Sequence, residues 1–240
     1  MQHDNCLHKV HAQGNDFILI PQKLQQAFNC PERIRWLANR RFGIGCDQVF
    51  FIDIDEQQTQ WYCKIFNQDG SSARFCLNGI YATACFIQKR YPHITQWSIH
   101  TDHQVYQADT QKKPSIQIPN THTLQAKKVD QYLEIPHLEA HYVQVSNEHL
   151  LIDQKHTHGI SLLQLGSQLQ NHPDFPDGIN VSFYHYTDEN TIYLTTYERG
   201  SGLTYSCGSA GLATAILHWQ THNTEKQWTI KHPGGCSFYQ

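Results

Sequence analysis

Short apolar or alternating runs, punctuated by turn residues, set the rhythm of the first half of the chain. Residues 9–20 (KVHAQGNDFILI) read as strand, polar turn and strand. Residues 31–41 (PERIRWLANRR) carry a proline in the first turn, an acidic neighbour and basic residues at the end, which predicts a helix. The glycine loop FGIG at 42–45 precedes an apolar strand at 48–54 (QVFFIDI), and WYCKIFN at 61–67 alternates as a strand. A Gly/Ser/Asp-rich loop then leads to Cys76, followed by small residues and a proline-free apolar run that predicts a helix.

The same pattern returns. Residues 66–88 lie on 197–219 without a gap, placing Cys76 on Cys207 at a separation of 131 and Ala82-Thr83-Ala84 on Ala213-Thr214-Ala215. GNDFILI at 14–20 echoes SNEHLLI at 146–152, with Asn15 on Asn147 at 132, and 61–67 echoes 192–198 at 131. The strand at 48–54 is matched to 177–186 by laying Gly43-Ile44 on Gly178-Ile179 at 135. Such repetition predicts an α+β fold of two pseudo-symmetric repeats, each a mostly antiparallel sheet around the helix that follows its cysteine. The N-terminal repeat, carrying Cys76, is assigned to 1–117 and the C-terminal repeat, carrying Cys207, to 118–240, with the active site expected in the cleft between them. The Thr-, Gln- and Lys-rich stretch at 114–128 reads as the connector.

Composition narrows the function. Across 240 residues the charged fraction is 16% and the formal net charge −3, with no basic cluster beyond pairs such as Arg40-Arg41 and Lys127-Lys128. That argues against a nucleic-acid partner or a membrane surface. The absence of an apolar span and of a signal-like N-terminus predicts a cytoplasmic protein. In that compartment the eight cysteines are expected as thiols rather than a disulfide framework. With no C-x-x-C or H-E-x-x-H pattern, no metal is expected, and no nucleotide-type glycine fingerprint signals a cofactor.

A cysteine at a helix N-terminus meets unpaired backbone N–H groups and the positive end of the helix dipole, which favours the thiolate. The free N–H groups of Leu77, Asn78 and Gly79, and of Gly208, Ser209 and Ala210, can also hold a carboxylate. Two such units facing each other would set a substrate α-carbon between a thiolate base and a thiol acid, an arrangement suited to inverting an amino acid. Asn15, Asn67, Asn147, Asn180, Glu198 and Arg199 fall in turns or at strand ends, where they are candidate substrate contacts. For Cys6, Cys30, Cys46, Cys63, Cys85 and Cys236 the plainer reading, a small buried hydrophobe, is preferred.

The segments GNDF (14–17), FGIGCDQ (42–48), FNQDGS (66–71), C-x-N-G (76–79), YERG (197–200), CGS (207–209) and PGG (233–235) resemble the diaminopimelate epimerase family, in order and over the whole chain. The resemblance implies a cofactor-independent isomerase acting on an amino acid for lysine and peptidoglycan precursors, with Cys76 and Cys207 as the acid/base pair and a homodimer as its assembly. It further implies that Asn15, Asn67, Asn147, Asn180, Glu198 and Arg199 contact the substrate, Arg199 being suited to a second carboxylate. The amides of Leu77, Asn78, Gly208 and Ser209 would hold the reacting carboxylate. The chain departs from the family at C-L-N-G-I-Y (76–81), where the pattern is C-G-N-G-A-R, at Ser209-Ala210, and at Glu148, where proline is usual. Leu77 and Tyr81 would reshape a pocket, which keeps in view a racemase of another amino acid, and the short stretch after PGG keeps in view a paralogue that binds an amino acid or a partner protein without catalysis.

Overall fold

The computed structural model describes residues 5–119, 124–129, 138–157, 159–223 and 226–240. The chain divides into two compact units, Met1–Pro119 and Asn120–Gln240. The middle of the expected connector, 120–123, lies outside the described residues.

In the first unit β1 (His8–Ala12) and β2 (Asn15–Pro21) form a hairpin. Its two turn residues, Gln13 and Gly14, both have positive φ (53° and 86°), the turn geometry that matches the twist of paired strands. Then come α1 (Gln22–Phe28), α2 (Pro31–Ala38), β3 (Gln48–Asp55), β4 (Gln60–Asn67), β5 (Ser72–Ala73), α3 (Leu77–Arg90), β6 (Gln96–Thr101), β7 (Val105–Asp109) and β8 (Ser115–Gln117). The sheet runs β1-β2-β3-β4-β6-β7-β8, with β5 on β4. It is antiparallel except where β2 meets β3 and β4 meets β6.

A parallel join needs a crossover, and the two crossovers go to opposite faces. The β2–β3 crossover packs Ile34, Leu37 and Ala38 of α2 on Ile18, Ile20, Val49 and Phe51. The β4–β6 crossover sends α3 inside, where Ile80, Ala82, Ala84 and Ile87 meet Phe17, Phe50, Trp61, Trp97 and Tyr106. Helix α3 touches β1 and β2 at one edge and β8 at the other, so the sheet curls around it.

The second unit repeats the plan. It contains β9 (Ala126–Lys128), β10 (Ala140–Gln144), β11 (Glu148–Asp153), a 3-10 turn (Gln154–His156), α4 (Leu162–Gln170), β12 (Asn180–Asp188), β13 (Thr191–Glu198), β14 (Gly202–Thr204), α5 (Gly208–His222), β15 (Trp228–His232) and β16 (Gly235–Tyr239). Its sheet order is β16-β15-β13-β12-β11-β10-β9, with β14 on β13. Parallel joins fall at β11/β12 and β13/β15. Helix α5 is buried without interruption from Gly208 to His218, as an all-round apolar helix requires.

Strand pairing settles which residues are equivalent. Phe50 faces Ile65, and Ser182 faces Thr196, the mate of Ile65. Hence Phe50 corresponds to Ser182 and Gln48 to Asn180. The parallel pairs Phe17–Gln48 and His149–Asn180 then make Phe17 and His149 mates. The repeat extends to side chains: Thr83 Oγ1 donates to the Gly79 carbonyl, and Thr214 Oγ1 to that of Ala210, each at 2.8 Å.

Four expectations are corrected. Cys6 and Cys236, read as buried, are exposed, Cys236 because it faces outward on the edge strand β16. The expected connector at 114–128 begins and ends in strand, β8 and β9. The helix expected over 31–41 stops at Ala38, because the Asn39 side chain accepts the N–H groups of Arg41 and Phe42 and ends the turn. Gly43 is not the mate of Gly178. The strand register lays Gly178 (φ +73°) on Cys46, one residue after the left-handed Gly45 (φ +78°), whereas Gly43 is required by its approach to the Trp36 carbonyl, 2.1 Å from an added Cβ.

Candidate functional site

Each unit places its cysteine at the N-cap of its central helix. Cys76 caps α3 with an extended backbone, and its sulfur accepts the Gly79 N–H at 3.4 Å. This is the role a serine N-cap plays, carried out by a thiol. The close packing depends on Gly79, whose added Cβ would fall 2.1 Å from Phe50 Cζ. Asn15 Oδ1 approaches Cys76 Sγ at 3.9 Å.

The surroundings of Asn15 are charged and ordered. Its Nδ2 donates to Asp47 Oδ2 at 2.7 Å, and the same oxygen accepts the Asp16 N–H at 3.0 Å. Arg40 bridges Asp16 and Asp47, with 2.7 Å to each, and Lys9 pairs with Asp16 at 2.7 Å while also donating to the Gly45 carbonyl. Although partial burial opposes it, hydrogen bonds from Arg40 and Lys9 hold the Asp16 carboxyl well below the usual range. Burial is the leading cause that pushes the neighbouring Cys46 thiol up to about 12, consistent with the structural role expected of it.

Asn67 closes the loop before Cys76. Its Nδ2 donates to Ser71 Oγ at 3.1 Å, its backbone N–H to the Ser71 carbonyl at 2.8 Å, and its Oδ1 accepts Gln48 Nε2 at 3.0 Å. Asn15, Gln48 and Asn67 thus stand at adjoining ends of β2, β3 and β4, the first against the sulfur. Leu77 and the buried Asn78 occupy the first turn of α3. Tyr81, one turn on, packs against the α3 core rather than standing clear of it, and burial pushes its phenol up to about 12.

In the second unit Cys207 caps α5 and is itself buried. Its sulfur lies 3.4 Å from Ser209 Oγ, which lies 3.0 Å from Nε2 of the fully buried His149. Burial pushes this imidazole down to about 3, so it is neutral at physiological pH. The relay of sulfur, hydroxyl and imidazole has no counterpart in the first unit, where Phe17 fills the place of His149. Tyr239 pins the start of α5 by donating to the Gly208 carbonyl at 2.9 Å. The PGG turn reaches the segment before Cys207 through a 2.8 Å bond from Gly234 N–H to the Tyr205 carbonyl.

Asn180 joins three strand ends: its Nδ2 donates to the Glu148 carbonyl and its Oδ1 accepts the Arg199 N–H, both at 3.0 Å. Glu198 accepts Thr204 Oγ1 at 2.6 Å. Asn147 sits in the β10–β11 turn, and the departing Glu148 accepts the Tyr142 hydroxyl at 2.8 Å. Arg199 stands apart. It is exposed, and its guanidinium donates to the carbonyls of Asp177 and Gly178 at 2.9 and 3.4 Å.

Residue-by-residue reading missed His149, Gln48 and Asp47. The repeat could have found Gln48, because strand pairing makes it the mate of Asn180. His149 follows Asn147 by two positions, but its side of the strand becomes meaningful only once β11 is placed. Among the described residues no cluster of three His, Cys, Asp or Glu could hold a metal ion, and no helix is long and apolar enough to cross a membrane.

Comparison with solved structures first fixes the class. The chain is similar to a phenazine biosynthesis protein of the PhzF family from Bacillus anthracis, with TM-score 0.65 and 13% identity over 97% of this chain and 88% of that one. A hydroxyproline epimerase from Agrobacterium vitis, solved with trans-4-hydroxy-L-proline, also scores 0.65 at 13% identity, over 97% of this chain and 82% of the other. These likenesses establish the shared α+β fold of two curled mixed sheets.

Sequence is more specific. The family profile described as Diaminopimelate epimerase matches residues 7–112 and 141–237. A diaminopimelate epimerase of Trichodesmium erythraeum (strain IMS101) is 32% identical over 95% of this chain and 88% of its own length. That of Blochmanniella floridana is 30% identical over 96% and 89%. The chain belongs to the diaminopimelate epimerase family, a family of isomerases.

Proposed function

We propose that this protein is a diaminopimelate epimerase, interconverting the LL and meso forms of 2,6-diaminopimelate by proton exchange between two cysteines. The observation that carries the reading is the repeated one: each half caps its buried central helix with a cysteine, Cys76 in one and Cys207 in the other. The thiolate of one cysteine takes the α-proton, the thiol of the other returns a proton to the opposite face, and reversal exchanges their roles. The leading N–H groups of α3 and α5, at Leu77, Asn78, Gly208 and Ser209, bind the carboxylate whose charge grows as the α-carbon loses its proton.

The half-sites are unequal, which supports distinct resting states for the two thiols. Ser209 and His149 offer Cys207 a hydroxyl backed by a neutral imidazole, a route for holding a proton near a buried sulfur. Asn15, Asn67, Asn147, Asn180, Glu198 and Arg199 are assigned to the rest of the substrate. Arg199 turns to loop carbonyls here, so engaging a distal carboxylate requires its guanidinium to exchange those bonds for charge-assisted ones.

Deuterium uptake at the α-carbon in D2O, under reducing conditions, tests the substrate. LL- and meso-diaminopimelate are offered beside single amino acids. Exchange confined to diaminopimelate is expected. Exchange on another amino acid, with none on diaminopimelate, replaces this reading with a racemase whose pocket is reshaped by Leu77.

A further inference from the structure

Resting on that reading of Cys76, we propose that Asp47 is a positioning residue, locked by Arg40, that holds the Asn15 amide with its oxygen toward the Cys76 sulfur. Asn15 therefore presents a hydrogen-bond acceptor, not a donor, at the reacting thiol. An asparagine side chain can face a neighbour with either end of its amide, and the two ends have opposite consequences. The choice here is dictated by charge. Asp47 is ion-paired with Arg40 at 2.7 Å, and an ionised carboxylate only accepts.

The Asp47 oxygen nearest Asn15 takes two N–H groups, Asn15 Nδ2 at 2.7 Å and Asp16 N at 3.0 Å. The Asp47 N–H in turn donates to Asp16 Oδ1 at 3.0 Å, so the two aspartates hold each other across the strand ends. With Nδ2 drawn to Asp47, the amide turns its Oδ1 toward Cys76 Sγ, at 3.9 Å.

An acceptor oxygen beside the sulfur favours the protonated thiol, whereas an N–H in its place would favour the thiolate. The Gly79 N–H at 3.4 Å already supplies one donor. The amide of Asn15 is an opposing influence, one that favours the protonated thiol at Cys76. Arg40, bound to both Asp16 and Asp47, and Lys9, bound to Asp16, fix the carboxylates in place and so keep the amide from turning.

The test is the rate of iodoacetamide alkylation at Cys76, resolved by mass spectrometry at one fixed pH, with Cys85 on the same helix as internal control. Because it needs no turnover, it can fail while the epimerase reading stands, and conversely. In Asp47→Ala the amide is free to turn its N–H to the sulfur, and Cys76 should alkylate about tenfold faster while Cys85 is unchanged. In Asn15→Leu the effect of Asp47→Ala should vanish. A tenfold acceleration that persists without Asn15, or a Cys76 rate within about twofold of wild type in Asp47→Ala, would overturn the proposal.

The unaltered protein gives an answer even if that variant fails to fold. The side-chain amide signal of Asn15, assigned by its loss in Asn15→Leu, should exchange its Asp47-bound proton with solvent more slowly than the exposed Asn190. Equal rates would contradict the inference.

Discussion

Replacing Gly79 by alanine probes the packing that puts Cys76 where it is. The new Cβ would lie 2.1 Å from Phe50 Cζ and 2.6 Å from Cε2, whereas ordinary contact begins near 3.4 Å. The ring would have to retreat by more than 1 Å. It has nowhere to go: Phe50 is fully buried and meets Phe17 edge-on at 5.4 Å. A clash this close, on a ring with no room to move, belongs in the upper part of the usual overpacking cost, about 2–3 kcal/mol, partly offset by about 1 kcal/mol from removing a glycine inside a helix. A net loss of about 1–2 kcal/mol should lower the melting temperature by roughly 2–8 °C for a chain of this size. Calorimetry and urea unfolding of Gly79→Ala, Phe50→Leu and the double variant form the assay. The double variant should recover at least about 1 kcal/mol relative to the sum of the singles, because the smaller side chain makes room for the methyl. The second unit already has that solution, with Ala210 on the helix and Ser182 on the strand at the corresponding positions. Additive losses, or an alanine variant as stable as the parent, would refute the packing argument.

Burial pushes His149 and His218 down to about 3 and His232 to about 4. Their unfolded values lie near 6.5, so the unfolded chain binds protons first, and stability present above that pH is lost as pH falls towards the folded values. Each histidine should remove up to about 2 kcal/mol by pH 5, and urea unfolding followed from pH 8 to 5 should show a slope that flattens in His149→Phe. An unchanged slope would contradict the assignment. Ser209→Ala, which breaks the relay to Cys207 and leaves His149 Nε2 without its partner, should cut turnover about 10–100-fold and cost about 1–3 kcal/mol of stability; wild-type turnover would dismiss the relay. If both thiols carry protons as proposed, oxidant treatment should abolish epimerisation and a reductant restore it, because an oxidised sulfur can neither take nor return a proton. Full activity with no thiol detectable at Cys76 or Cys207 would exclude a two-thiol mechanism.

The repeat makes most of the architecture legible in the sequence. Both central helices, the hairpin at Asn15 and strands β3, β4 and β13 follow from periodicity and from one register shared by the two halves. What escaped depends on pairing. The shared Gly-Ile dipeptide points to Gly43 as the mate of Gly178, whereas strand pairing sets Gly178 at Cys46, beside the left-handed Gly45. The short α1 exposes polar residues and buries none, so it leaves little periodic signal. His149 looks like an ordinary strand histidine until β11 is laid beside β12 and its ring is brought to Ser209. Asp47 reads as a loop residue after a glycine turn, and its hold on Asn15 exists only because β2 and β3 run parallel.

The central claim is that both cysteines exchange protons with one substrate, and variants at the two positions test it most directly. Cys76→Ala and Cys207→Ala are incubated with LL- and meso-diaminopimelate, and both epimerisation and α-deuterium uptake in D2O are followed. Loss of epimerisation in each variant, with the thermal transition preserved, is the expected result. Epimerisation that survives removal of either sulfur would contradict the account.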